Sequence, residues 1–380
     1  MKLRIGILGT RGIPNHYGGF EQFAEHISVG LADKGHDVFV YNSHNHPYQQ
    51  KTWNNVNIVH CFDPEYRLGT AGQFLYDLNC ILDARKKDFD IILMLGFTSS
   101  SLWGWLLPAR ATTIFNMDGL EWKRTKYTPL VQKFLKYAER LAIKYGDHHI
   151  ADSEVIQSYL LEKYNINSRF ISYGATLFEG GDDSVLATYG VTANDYFILI
   201  ARLEPENNIE TILDGFSASS ATRQFLVVGN TGNKFGRYLL SKFKHDTRIR
   251  FIGSIYNNPE ALHTLRKRSY VYFHGHSVGG TNPSLLEAMA SQSLIAAHDN
   301  PFNKAILDKA AYYFSTPQDV MGIIENTSRG DAAAGMIKSN FEKIQVQFSW
   351  KRIIEKYDQY IQECVKKPIP VKAKAAAIKR

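Results

Sequence analysis

Short apolar runs alternate with longer helical patterns along the first half of the chain. Apolar, β-branched runs predict buried strands at residues 3–8, 37–41, 90–95, 112–116 and 148–151. Apolar positions at helical spacing predict helices at 19–34, where Gly35 ends the helix, and at 129–145. Strands that alternate with helices in this way are typical of a parallel sheet covered by helices.

The alternation restarts after a weakly patterned stretch at residues 173–192. Strands are predicted at 196–201, 224–229, 249–252 and 270–274, and helices at 209–217 and 283–291. We therefore expect two doubly wound, Rossmann-like α/β domains, at 1–175 and 190–345, followed by a helix at 346–365 that packs back toward the first domain and a basic tail at 366–380. Such sheets bind ligands outside the carboxyl ends of their strands, so we expect the active site in a cleft between the domains.

The composition agrees with two folded domains. The length of 380 residues exceeds what one hydrophobic core usually serves. With 44% hydrophobic and 21% charged residues, the composition excludes a disordered, collagenous or coiled-coil chain. The three cysteines are scattered, without the spacing of a disulfide framework or a zinc site, and favour a reducing cytosol. The longest apolar run, 91–97, is shorter than the roughly 20 residues of a membrane span, and the first residues lack the length of a signal peptide.

The excess positive charge is confined to two segments. The chain has 44 Lys plus Arg against 37 Asp plus Glu, a formal net charge of +7. Residues 366–380 hold six basic residues and no acid, and residues 122–145 hold seven basic residues and Glu139, so each segment carries +6 and the rest of the chain −5. Neither segment has a nucleic-acid reader motif, so nucleic acid is not expected as a partner.

A glycine-rich turn follows the first predicted strand, from Gly9 to Glu21. Glycines before a helix let backbone amides approach an anion, although they also permit a tight turn with no ligand. The spacing is G-x-x-G, and Asn42 stands at the end of the second strand where the dinucleotide fingerprint requires an acid. We therefore do not expect NAD or FAD.

Two further constellations follow strands of the second half. In the first, Asn282 is suited to cap a helix that begins at Pro283, whose amides would face the ligand, and Glu287 could accept bonds from sugar hydroxyls. In the second, Arg202 has the reach and the bidentate geometry for phosphate. The alternatives are a solvated helix carboxylate for Glu287 and a surface ion pair for Arg202.

Together these motifs resemble the GT-B glycosyltransferases of the family 4 kind, and within them the rhamnosyltransferase-like bacterial branch. The resemblance spans nearly the whole chain and is carried by residues 9–14, 17–21, 118–122, 202–207 and 279–287. It implies a metal-independent, retaining hexosyltransferase with no cofactor besides its nucleoside-diphosphate sugar. The donor-binding residues that it implies are Gly18, Gly19, Arg202, Ile255, Tyr256, Gly279, Gly280, Thr281 and Asn282, with Arg202 on the diphosphate, Glu287 on the ribose, and Ile255 and Tyr256 beside the base.

The sequence departs from the family pattern at two positions. The family commonly has a Glu eight residues before Glu287, where this chain has Gly279, and a Lys five residues after Arg202, where it has Asn207. The amides of Gly280 and Thr281, helped by Arg11, would then have to complete the diphosphate site.

Acid–base work would move to Asp118, which follows a strand and could orient the sugar or accept the acceptor proton, so Asp118 and Glu287 are the catalytic candidates. A turn-forming or helix-capping Asp is the alternative reading of Asp118. His16 and His276 are lesser candidates.

The predicted function is transfer of a sugar, rhamnose by the resemblance, to a lipid-linked or oligosaccharide acceptor in bacterial surface polysaccharide synthesis. We expect a cytoplasmic enzyme that is peripheral on the inner face of the membrane. A stripe of Lys133, Lys136, Arg140 and Lys144 could meet anionic lipid, although a solvated helix face explains it equally well. Two other functions stay open: a nucleotide-sugar epimerase of the same fold, and a noncatalytic nucleotide-sugar-binding subunit.

Overall fold

Apolar runs form the central strands of two separate sheets in the computed structural model, which describes residues 1–16, 18–255 and 258–366. The chain divides into two units. The first contains residues 1–122 and 127–173 and the described chain from Trp350. The second contains Lys123–Lys126 and Gly174–Ser349.

The first unit is built on an eight-stranded sheet within the described residues. Its strands are β1 (Arg4–Leu8), β2 (Asp37–Ser43), β3 (Thr52–Trp53), β4 (Val56–Cys61), β5 (Ile91–Leu95), β6 (Thr112–Met117), β7 (His148–Ala151) and β8 (Arg169–Phe170). The order is β3-β4-β2-β1-β5-β6-β7-β8, and all neighbours are parallel except β3 and β4. Every residue of β5 is buried, as expected for a strand covered on both faces.

Helices connect these strands in the order of the chain. They are α1 (Gly19–Asp33), α2 (Glu65–Leu68), α3 (Thr70–Ala84), α4 (Pro129–Tyr145) and α5 (Glu154–Tyr164), with 3-10 turns at Ser100–Leu106 and Glu121–Lys123. The basic helix α4 begins with Pro129 in its first turn, and the Thr128 side chain accepts a hydrogen bond from the Val131 amide.

The second unit has a six-stranded sheet in which all neighbours are parallel. Its strands are β9 (Tyr196–Ile200), β10 (Gln224–Val228), β11 (Ile249–Gly253), β12 (Val271–His274), β13 (Ile295–His298) and β14 (Tyr312–Phe314), in the order β11-β10-β9-β12-β13-β14. Its helices are α6 (Ser184–Thr188), α7 (Ile209–Ala218), α8 (Lys234–Lys242), α9 (Pro259–Arg268), α10 (Pro283–Ala290), α11 (Pro301–Leu307), α12 (Pro317–Asn326) and α13 (Asp331–Lys343). Its core contains a cluster of aromatic rings that includes Phe197, Phe216, Phe225 and Phe273.

The chain then passes through a short π-helical turn, Ile344–Phe348, and ends its described part in α14 (Trp350–Lys366). This helix packs in the first unit. The Tyr357 ring lies 5.3 Å from the Phe23 ring, and the Tyr357 hydroxyl accepts a hydrogen bond of 3.2 Å from the Asn116 side chain. None of the helices in the described residues combines the length and the apolar composition that a bilayer span needs.

Every strand and helix predicted from the pattern is present. Their ends lie within two residues of the predicted ones, except that the helix predicted at 346–365 begins at Trp350, after the π-helical turn. The predicted parallel α/β sheets are confirmed, apart from the antiparallel edge strand β3. Gly35 follows α1 with a φ of +91°, in the left-handed region that favours glycine, as expected for the residue that ends a helix.

Candidate functional site

The glycine-rich turn after β1 is organised by a buried carboxylate. Glu21 of α1 accepts hydrogen bonds from the Thr10 hydroxyl at 3.2 Å and from the Arg11 amide at 2.9 Å. Gly9 has a φ of +87°, and a Cβ there would lie 2.3 Å from the Leu95 carbonyl oxygen. Asn42 clamps the same turn, because its side chain donates to the Ile13 carbonyl oxygen at 2.8 Å and accepts from the Ile13 amide at 3.1 Å. The structure therefore requires glycine at position 9, and Asn42 holds the turn in place through both of its side-chain hydrogen bonds.

Gly18 and Gly19 lie at the start of α1, and Tyr17 is outside the described residues. Gly18 occupies the N-cap position, and no side chain among the described residues caps this helix start through a hydrogen bond. Gly19, the first helical residue, is exposed. Backbone amides in the first turn of a helix are the groups that can bind an anionic or hydroxyl-bearing ligand.

Arg11 is engaged within the first unit. Its Nε and Nη2 atoms donate to the two carboxylate oxygens of Glu65 at 3.1 and 2.7 Å, a bidentate pair. This pair anchors the Arg11 side chain to α2.

Asp118 directly follows β6 and is partly buried. The nearby Tyr173 hydroxyl is buried, and its pKa is raised by burial first and then by the negative charges of Asp118, Asp152 and Glu21. Asp118 follows β6 and Asp152 follows β7, so both lie at the carboxyl edge of the sheet. The catalytic candidate thus belongs to a group of acidic side chains around one phenol.

The chain just after Asp118 is held by a second buried carboxylate, Glu139 of α4. It accepts hydrogen bonds from the Trp122 indole at 3.3 Å, the Tyr159 and Tyr164 hydroxyls at 2.7 and 2.5 Å, and the Lys163 ammonium at 3.0 Å. Lys136 lies 4.2 Å from the centre of the Trp122 ring. In the sequence Glu139 is the single acidic residue of a basic segment. In the structure its side chain is buried and holds Trp122 and the α5 side chains in place.

In the second unit, Arg202 follows β9 and its side chain is exposed. The Asn207 side chain donates to the Arg202 carbonyl oxygen at 2.7 Å, so this amide, which replaces the family's lysine, fixes the shape of the loop. The loop after β9 is joined to the loop after β12, because the Ser277 amide and hydroxyl donate to the Glu206 carbonyl oxygen at 3.2 and 2.8 Å.

The second of these loops leads into α10. The Asn282 side chain accepts a hydrogen bond of 2.9 Å from the Ser284 amide, which confirms the predicted N-cap. Gly280 and Thr281 are buried beside the helix start, and Gly279 has a φ of +135° with open space where a Cβ would stand. Backbone at this position can therefore approach a ligand closely.

Glu287 is not a solvated carboxylate. Its Oε2 atom forms an ion pair of 2.7 Å with Arg266 of α9, whose side chain is only 3% exposed. Arg266 also donates to the Ser284 hydroxyl at 3.3 Å. The pairing fixes the carboxylate in one orientation. Arg266 lies on a helix that the sequence pattern did not predict, so no signal pointed to it.

The two histidines at the carboxyl end of β12, His274 and His276, have lowered pKa values and are neutral at physiological pH. Burial, followed by the positive charges of Arg202 and Arg124, lowers the pKa of His276 to about 3. Burial also lowers the pKa of His274, whose ring stacks on that of His276 with centroids 4.5 Å apart. A neutral His276 cannot donate a proton as a general acid near pH 7. His16 is exposed and contacts the ring of His46 in the first unit.

Ile255 follows β11 and is partly buried, and Tyr256 lies outside the described residues. The structure therefore places Arg202, Ile255 and Gly279–Asn282 after the carboxyl ends of β9, β11 and β12 in the second unit, with Glu287 on α10. Gly18, Gly19 and Asp118 lie in the first unit. Among the described residues, no three His, Cys, Asp or Glu side chains form a group that could hold a metal ion.

A protein-family model described as "Domain of unknown function (DUF1972)" matches residues 2–176. The matched segment ends near Gly174, where the chain enters the second unit. No curated protein matches this chain.

Several solved structures share the fold over nearly the whole length. Sucrose-phosphate synthase from Thermosynechococcus elongatus is 16% identical with a TM-score of 0.78, over 96% of this chain and 100% of that chain. HepE from Anabaena, solved with UDP and glucose, is 15% identical with a TM-score of 0.72, over 95% and 100%. A glycosyltransferase from Rickettsia africae is 14% identical with a TM-score of 0.68, over 97% and 100%. The predicted GT-B fold with two parallel-sheet domains is thereby confirmed.

Proposed function

We propose that this chain is a glycosyltransferase that moves a sugar from a nucleoside-diphosphate sugar to an acceptor hydroxyl. The observation that carries the proposal is the pair of hydrogen-bonded loops after β9 and β12, which present Arg202 and the glycine-rich start of α10 at the carboxyl edge of one parallel sheet. The fold comparison supports it, because HepE was solved with UDP and glucose in the same fold.

In this proposal Arg202 and the amides of Gly280 and Thr281 bind the diphosphate, where a cation and a helix N-terminus both favour negative charge. Glu287 accepts hydrogen bonds from the ribose hydroxyls, and its pairing with Arg266 supports this role by fixing the carboxylate before the donor arrives. Ile255 and Tyr256 pack beside the base.

The reaction breaks the bond between the anomeric carbon and a diphosphate oxygen and forms a bond from that carbon to the acceptor oxygen. The charge that develops on the leaving diphosphate is stabilised by Arg202 and the amides. We assign Asp118 to orient the sugar or to take the proton of the acceptor hydroxyl. Metal independence and retention of configuration follow from the family resemblance and are part of the proposal.

We propose a carrier-linked glycan as the acceptor and rhamnose as the sugar, in bacterial surface polysaccharide synthesis at the cytoplasmic face of the membrane. The exposed face of α4 supports a peripheral membrane location. On this helix Leu130 is 77% exposed and Tyr137 is 55% exposed, beside the exposed cations Lys133 and Arg140. Apolar and basic side chains on one helix face suit an anionic lipid surface.

A panel of nucleotide sugars tests the donor, read by thermal shift of the purified protein. With the donor that shifts the melting temperature most, release of nucleoside diphosphate is then measured with and without oligosaccharide acceptors. Acceptor-dependent release supports the proposal. Conversion of the donor to an isomer without acceptor would show an epimerase instead, and donor binding without any turnover would show a noncatalytic subunit.

A further inference from the structure

A short basic segment from the first half of the chain belongs to the second unit. Lys123–Lys126 groups with Gly174–Ser349, although the residues on both sides of it belong to the first unit. The segment directly follows Trp122, which Glu139 holds. It carries Arg124 and Lys126 to the loop that follows β9.

Both cations meet one buried carboxylate in that loop. The Arg124 Nη1 atom lies 3.4 Å from Glu206 Oε1, and the Lys126 Nζ atom lies 3.9 Å from the same oxygen. The Glu206 side chain is only 1% exposed, and its Oε2 atom has no hydrogen-bond partner among the described residues. Since a buried carboxylate requires a nearby cation, Glu206 holds the two basic side chains against the loop.

Glu206 lies between Arg202 and Asn207 in sequence, so the segment reaches the loop in which the family's lysine is missing. The electrostatics of His276 agree with this placement. After burial, the charges of Arg202 and then Arg124 account for its lowered pKa, which places both guanidinium groups near one imidazole. Arg124, Lys126, Arg202 and Glu206 together carry a net charge of +2, which is suited to a diphosphate.

We propose that Arg124, with Lys126 beside it, supplies the cation for the donor diphosphate that Asn207 does not provide. The proposal rests on the proposed function, since it assigns new residues to the same donor site. Arg124 is the stronger candidate because a guanidinium binds phosphate oxygens through two parallel hydrogen bonds. Glu206 acts as a positioning residue, because it orients these cations without contacting the donor.

Isothermal calorimetry of the full chain with UDP, dTDP and GDP tests the proposal, with the nucleotide that the wild type binds most tightly used for the variants. Arg124→Ala is expected to weaken binding by about tenfold to a hundredfold, the range for a lost hydrogen bond to a charged group, and Lys126→Ala by less. The matched control is Arg140→Ala, an exposed Arg of α4, which should bind like the wild type. Affinity for the free nucleoside should not change in any variant.

Removal of Arg124 also takes a cation from buried Glu206, so a folding defect must be separated from a binding defect. The pair Glu206→Gln and Arg124→Ala/Glu206→Gln does this, because neither variant contains the buried charge. The double variant should melt like Glu206→Gln and still bind the diphosphate at least about tenfold more weakly than Glu206→Gln does. Equal affinities in these two variants would overturn the proposal.

The outcomes also separate this inference from the proposed function. If Arg202→Ala loses nucleotide binding while Arg124→Ala keeps it, the donor site stands and the role of Arg124 is refuted. If the wild type binds none of the three nucleotides and consumes no nucleotide sugar, the proposed function itself fails.

Discussion

Replacing Asp77 with Asn is expected to stabilise the first unit, and to do so more strongly as the pH rises. Asp77 lies on α3, is 4% exposed, and accepts a hydrogen bond of 2.5 Å from the Ser99 hydroxyl. Burial raises the pKa of its carboxyl to about 7, against the opposing effects of Ser99 and of the Arg11 charge. The charge of this carboxylate therefore disfavours the folded state at neutral pH.

The direction of this pH dependence follows from the pKa values of Asp77 in the folded and unfolded states. The folded-state pKa is about 7 and the unfolded reference is 3.8, so between these values the folded state holds a proton that the unfolded state has lost. The contribution of the Asp77 carboxyl to the free energy of unfolding is then fully present below the unfolded pKa and declines as the pH rises to about 7. Ionisation of Asp77 lowers the free energy of unfolding by about 4 kcal/mol above pH 7, and about 3 kcal/mol of this loss develops between pH 5 and pH 8.

Asn keeps an oxygen that can accept the Ser99 hydrogen bond and carries no charge. The stability gain of Asp77→Asn should therefore increase by about 3 kcal/mol from pH 5 to pH 8. Urea denaturation followed by tryptophan fluorescence measures it, because all five tryptophans lie in the first unit. The exposed Asp88→Asn is the control and should show a constant difference. A constant difference for Asp77→Asn as well would refute the reasoning.

Three further outcomes are expected. Arg202→Ala should weaken nucleoside-diphosphate binding at least about tenfold by calorimetry, and unchanged binding would remove its assignment. Glu139→Leu should destabilise the first unit by about 3 kcal/mol in tryptophan-detected urea denaturation, since four hydrogen bonds to a buried carboxylate are lost. Truncation after Val365 should lower association with anionic liposomes and leave turnover on a soluble acceptor unchanged. Equal liposome association would argue against a role for the tail. Residues 367–380 of this tail lie outside the described chain.

The sequence predicted the elements whose burial pattern is local. The apolar run of β5 and the helix pattern of α4 are recognisable because each pattern depends only on neighbouring residues. The cap at Asn282 was predictable for the same reason, since an N-cap followed by a proline is a local signal.

The partners of the site residues were not predictable in this way. Arg266 is 21 residues from Glu287 along the chain, and Glu65 is 54 residues from Arg11, so no periodic pattern connects them. Such pairs arise only when tertiary packing brings distant segments together: Arg266 lies on α9 and Glu287 on α10, and Glu65 lies on α2. The pairing changed the interpretation in both cases: Glu287 is fixed by a cation, and Arg11 is engaged by an anion.

The structure divides the basic residues of segment 122–145 between the two units. The seven cations of this segment appeared in sequence as one surface, but Arg124 and Lys126 meet buried Glu206 in the second unit, and Glu139 is buried on α4 and paired with Lys163. The cations of α4 itself are Lys133, Lys136, Arg140 and Lys144. At about 1 kcal/mol for each charge near an anionic surface, this helix would contribute about 4 kcal/mol at most to membrane binding, not the value of the whole segment. Of the other three cations, Arg124 and Lys126 are assigned to the donor site. Arg124→Ala and Arg140→Ala therefore form a paired test: the first should change nucleotide affinity and the second liposome affinity.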